Sequence, residues 1–221
     1  MDKRERITTF AGLFIALGLP FILDLLLRRR PEDLAIPSRA GLFAVEEWIL
    51  AFSLLGLVLF GEKKPLSSIG IKKLSWNDVL WGAVGFIVGA LSFVLTTPIV
   101  TSLGLSTTSG GIARLAQMSL ALRTGIVITA GITEEILFRG YPIERLNDLT
   151  GSLGLAALAA YVAFVLLHIP FWGLGGAIQI GVWTIIVTVL YVKRRNLPAC
   201  MLMHILNDAY AFILLPMLFA R

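Results

Sequence analysis

Apolar residues run along this chain in long unbroken blocks, not in the three-and-four spacing of a helix half exposed to water. The blocks lie at about 10–27, 43–60, 79–100, 124–141, 154–168, 172–192 and from 198 to the C-terminus. Each reaches or approaches the roughly 20 residues that cross a bilayer as a helix. Backbone polar groups in hydrocarbon must be satisfied within the segment, which selects helices, and the period-2 alternation of a membrane barrel is absent. The pattern predicts an all-α, polytopic transmembrane bundle of about seven spans, between six and eight. Pro142 follows the fourth block, Pro170 stops the fifth, and Pro198 stands at a favourable first helical position for the last. Ser106 to Gly111 reads as a turn, and 112–122, interrupted by Arg114, Gln117 and Arg123, reads as an interfacial segment. Residues 1–105 are expected to form N-terminal membrane helices and 106–221 a catalytic membrane core, with no internal repeat.

Composition agrees with this solvent: 57% of the 221 residues are hydrophobic and 15% charged, with a mean hydropathy of +0.86. Lys3, Arg4 and Arg6 before an apolar run resemble a signal peptide. The run continues to Leu27 and ends in Arg28-Arg29-Arg30 without a small-residue cleavage site, so a retained span is expected. The net charge of +5 does not imply a nucleic-acid partner, because Lys63, Lys64, Lys72, Lys73, Lys193, Arg194 and Arg195 cluster between apolar blocks, as orientation signals do. Placing these clusters and the N-terminus in the cytoplasm leaves Arg28 to Arg30 and Arg39 outside, against the rule. The lone Cys200 allows no intrachain disulfide.

The chemistry sits where such a chain tolerates it least. His168 and His204, the only histidines, both fall inside predicted spans, and Glu134-Glu135 lie in the fourth. Ionisable residues at membrane depth mark function by default. Glu135 and Arg139, His204 and Asp208, and Phe164 and His168 are each four apart, on one helical face. An ion pair with Arg139 suits Glu135 to support. Glu134 is rotated about 100° away with Phe138 four residues on, which makes it the carboxylate available as a general base. A second acidic pair, Glu46-Glu47, is expected in the first turn of its helix, facing the positive dipole end, and is set aside. The five tryptophans are expected as interface anchors or bundle packing. At about 1.5 Å per residue, Glu134 lies roughly 12 Å in from Pro142 and His204 roughly 9 Å in from Pro198. His168, roughly 21 Å from Gly154, does not match them.

Three motifs carry a resemblance. Glu134-Glu135-Ile136-Leu137-Phe138-Arg139 resembles the EExxxR motif of the CPBP family of CAAX proteases and bacteriocin-processing enzymes. Phe164 to His168 is similar to its FxxxH motif, and His204 to Asp208 to its HxxxN/D motif, in the family's order. The resemblance covers roughly residues 125–210. It implies an intramembrane endopeptidase in which Glu134 and His168 activate a water, and His204 stabilises the oxyanion. Glu135, Arg139, Phe164 and Asn207 would support them. It further implies a peptide or membrane-protein substrate, possibly prenylated, in a multi-pass protein of the cell membrane with its site toward the cytoplasm. Asp208 stands where the prenyl endopeptidases have Asn, with Asn207 one residue earlier. Asp208 is therefore protonated, or orients His204, or ligates a metal. No cofactor is expected, and the alternative is a zinc ion held by Glu134, His168, His204 and Asp208. A non-proteolytic protein of the same fold, transporter-like or a scaffold, is the competing function.

Overall fold

A computed structural model describes residues 3–27 and 36–219, all in helices, turns and short connections. The first helical run comprises α1 (Lys3–Leu13) and α2 (Leu19–Leu27), joined by a π-helical turn at Phe14–Gly18. Next come α3 (Pro37–Gly56), with a π-turn at Leu57–Gly61, α4 (Trp76–Ser102) and the short α5 (Ser109–Ala116). The core follows: α6 (Leu120–Glu135), a π-turn at Ile136–Gly140, α7 (Tyr141–Thr150), α8 (Leu153–Arg194), α9 (Leu197–Ala209), a π-turn at Tyr210–Leu214 and α10 (Leu215–Phe219).

Among the described residues five helical runs are long and apolar enough to span a membrane, fewer than the six to eight expected. The difference has two physical sources. The helical run that carries the glutamates continues through its π-turn into α7, and Arg123, Glu134, Glu135 and Arg139 make it too charged to count as a span. The expected fifth and sixth spans are two helical limbs that follow each other without a loop, so they count as one 42-residue run, and Pro170 is not where they part. The actual break is Gly173, at φ 66° and ψ 177°, a conformation open to glycine. The two limbs fold back about Gly173, and a Cβ on Gly181 would stand 3.3 Å from the Tyr161 hydroxyl.

A membrane protein shows in which residues face out. On α4 the buried face is small or polar (Gly82, Gly85, Gly89, Ser92 and Thr96), while Leu91, Val94, Leu95 and Ile99 face outward. Close helix contact through small residues is the usual substitute for a hydrophobic driving force in lipid. The approach is tight: a Cβ on Gly89 would lie 2.8 Å from Trp183 and 3.0 Å from Asn207.

One end of the bundle is locked by buried polar groups. Arg145 donates from both Nε and Nη2 to Glu62 Oε2, at 2.9 and 2.7 Å, and from Nη1 to the Ser68 carbonyl at 3.2 Å. Tyr141 donates to Glu62 Oε1 at 2.7 Å. Arg194 pairs with Asp78, Arg195 with Glu144, and Lys64 with Glu5. Asp78 also completes the capping box that starts α4 at Ser75.

Candidate active site

The chain turns at Gly151, left-handed at φ 69°, between α7 and α8. Glu134 is 17 residues before this glycine and His168 17 after it; Phe138 and Phe164 are each 13 away. An antiparallel pair hinged there sets these residues level. The Phe138 and Phe164 rings meet edge-to-face at 5.1 Å. Pro142 does not end the descent, since it occupies the first turn of α7, where proline is tolerated. The chain therefore runs on to Thr150, and α8 climbs back the same distance. That removes the mismatch in depth expected for His168.

α9 meets α6 where Gly131 leaves room for Ile205: a Cβ on Gly131 would stand 2.4 Å from Ile205 Cγ1. Glu135 lies one turn beyond Gly131, and His204 one residue before Ile205. His204 Nδ1 consequently donates to Glu135 Oε1 at 2.8 Å, and Arg139 Nη1 donates to the same oxygen at 3.0 Å. All three side chains are buried: Glu135 is 0%, Arg139 1% and His204 4% exposed. The Arg139 guanidinium also lies over the Phe164 ring, 4.0 Å from its centroid. This accounts for a phenylalanine four residues before His168, as the base on which the cation rests.

With Nδ1 engaged, His204 turns Nε2 toward two carboxylates, Asp208 Oδ2 at 3.6 Å and Glu134 Oε2 at 3.9 Å. His168 donates from Nδ1 to the Phe164 carbonyl at 2.7 Å, which leaves Nε2 as the ring's remaining position. Its ring lies 4.2 Å from that of Phe164, tilted by 36°, and the His204 ring lies 4.7 Å from Trp183. Asn207 donates to the Met203 carbonyl at 2.9 Å. The π-turn at Ile136–Gly140 falls between Glu135 and Tyr141, and another follows Asp208 at Tyr210–Leu214. Such turns are frequent at functional sites, where they re-aim side chains within a helix.

Glu134, His168, His204, Asn207 and Asp208 all line one cavity of about 660 Å³, whose wall is otherwise largely apolar and aromatic, including Phe93, Phe171, Trp172 and Phe212. Glu135 and Arg139 stand behind this wall. Among the described residues no three His, Cys, Asp or Glu side chains are grouped closely enough to hold a metal.

Two placements escaped the sequence. Glu46 and Glu47 are not in a first turn: α3 begins at Pro37, and both line the cavity in the middle of that helix. Thr133 Oγ1 donates to Glu47 Oε2 at 2.7 Å. A helix start six residues earlier would have revealed this, but the polar segment before residue 43 hid it. Trp183, expected as an anchor or packing residue, lines the cavity beside His204.

No curated protein and no solved structure matches the chain. One family model does, described as type II CAAX prenyl endopeptidase Rce1-like. It covers residues 116–210, under half of the chain. Every residue of the three motifs lies inside that segment, so the part of the chain that is similar to these endopeptidases is also the part that builds the wall of Glu134, His168, His204 and Asp208.

Proposed function

We propose that the protein is an intramembrane endopeptidase that hydrolyses a peptide bond of a membrane-associated substrate, prenylated CAAX-type peptides included. One observation carries the reading: Glu134, His168 and His204 arrive from three helical segments on a single apolar cavity, and Glu135 holds His204 from behind. A transporter or scaffold needs no such convergence.

In this mechanism Glu134 takes a proton from a water, and the water oxygen attacks the scissile carbonyl carbon. His168, oriented by its bond to the Phe164 carbonyl, presents Nε2 to the same water. The carbonyl electron pair moves onto oxygen, where His204 Nε2–H receives the developing charge. In that role His204 carries hydrogens on both ring nitrogens, one of them committed to Glu135. The carbon–nitrogen bond then breaks, and the proton on Glu134 passes to the leaving amine. Preorganised donors of this type are worth about 3–4 kcal/mol of barrier each.

The test is cleavage of a quenched fluorescent prenyl-peptide by the purified protein in detergent or lipid. Wild type should cleave it, and Glu134→Gln should not, since an amide cannot accept the proton. Wild-type turnover by Glu134→Gln would overturn the general-base role.

A further inference from the structure

Glu47 lies on α3, outside the segment that is similar to the endopeptidases, yet its carboxylate meets the residue next to Glu134. The Thr133 hydroxyl has one hydrogen and two acceptors within reach, Glu47 Oε2 at 2.7 Å and the Thr129 carbonyl at 2.8 Å. Thr133 is fully buried, so no water relieves the competition. One turn earlier a second bond crosses the same pair of helices, from Trp48 Nε1 to Thr129 Oγ1 at 3.0 Å. Adjacent residues of α3 therefore grip α6 at two successive turns. The lower grip falls directly before the π-turn at Ile136–Gly140, where the regular helical hydrogen-bond ladder gives way. Glu134 sits between the grip and that turn.

We propose that Glu47 is a positioning residue of the site, acting through Thr133 to set where Glu134 stands on the cavity wall. The inference rests on the endopeptidase reading for its kinetic consequence, but not for its structural one. Displacements near 1 Å in a reacting group cost about 100-fold in rate, so loss of the grip is felt at Glu134 before it is felt in folding. Gln at position 47 is a competent replacement, since its amide either accepts from Thr133 or donates to the hydroxyl while Thr133 donates to Thr129. Ala is not.

The experiment compares Glu47→Ala, Glu47→Gln, Thr133→Val and the double variant Glu47→Ala/Thr133→Val, with thermal unfolding followed in detergent. Its first arm needs no turnover: the rate at which a hydrophobic carbodiimide labels Glu134, read by peptide mass spectrometry. Glu47→Ala and Thr133→Val should each change that rate at least about threefold, by the same factor, with the double variant no different from the singles. Its second arm is kinetic. Glu47→Ala and Thr133→Val should lower kcat about 30-fold at unchanged KM, Glu47→Gln only about threefold, and the double variant no further than either single. Labelling of Glu134 at the wild-type rate in Glu47→Ala overturns the proposal, and so do singles whose effects multiply. Labelling that changes as expected in a protein that cleaves nothing would uphold the positioning and sink the endopeptidase reading.

Discussion

The Glu135 carboxylate spends one oxygen, Oε1, on both Arg139 and His204, while its Oε2 and Arg139 Nη2 are buried without a hydrogen-bond partner among the described residues. The i,i+4 spacing made the Glu135–Arg139 pair legible in the sequence, but nothing in the spacing revealed that the pair also holds His204. That link depends on a crossing of α6 and α9 through Gly131, which one-dimensional periodicity does not record. Glu47 was illegible for a related reason: its partner, Thr133, lies 86 residues away. Removing Arg139 leaves Glu135 buried beside His204 alone. Losing one partner of a buried pair costs about 3–5 kcal/mol, and here the cation's rest on Phe164 is lost as well. Arg139→Ala should therefore unfold at a clearly lower temperature in detergent and lose activity. Unfolding at the wild-type temperature with activity gone would move Arg139 from support into the chemistry. Asp208 separates the remaining mechanisms. At 3.6 Å from His204 Nε2 it is a charged neighbour of the ring beyond hydrogen-bond distance. Asp208→Asn should retain turnover, and metal analysis of the wild type should find no stoichiometric ion. A metal-loaded wild type beside a dead, metal-poor Asp208→Asn would establish Asp208 as a ligand instead.

At the scale of elements, what the sequence made legible was the apolar content of each block, and what it concealed was where the blocks join. Pro142 and Pro170 looked like ends. Both are carried inside helical runs, because proline in a first turn costs nothing and a kinked membrane helix is satisfied by its neighbours. The real hinges are glycines, Gly151 and Gly173, whose left-handed φ values give no signature in a hydropathy pattern already rich in glycine. Yet the hinges decide the site. The turn at Gly151 brings His168 level with Glu134, and the turn at Gly173 returns Trp183 to within 6.5 Å of Phe164. The seventh block was read with a near-correct start, since Pro198 is the second residue of α9. Motif spacing survived every error in element boundaries, because four residues of helix fix a face wherever the helix begins.

The described part of the molecule is polar at one end and apolar along its sides. Lys64, Arg145, Arg194 and Arg195 are all tied there, to Glu5, Glu62, Asp78 and Glu144. Lys72 and Lys73 are exposed on the same loop, before α4 begins. The 27 residues of α4 then carry the chain about 40 Å to the opposite end, where Arg39, Arg114 and Arg123 are the basic side chains among the described residues. Arg28 to Arg30, the other basic residues expected on that side, lie outside the described residues. An excess of lysine and arginine in short loops faces the cytoplasm, so the polar end should be cytoplasmic. Cys200 is buried and gives little background for thiol chemistry. In intact cells that express the protein, an impermeant maleimide should label Ser106→Cys, at the far end of α4, and reach Lys72→Cys only after permeabilisation. Labelling of Lys72→Cys in intact cells, with Ser106→Cys protected, would invert the molecule.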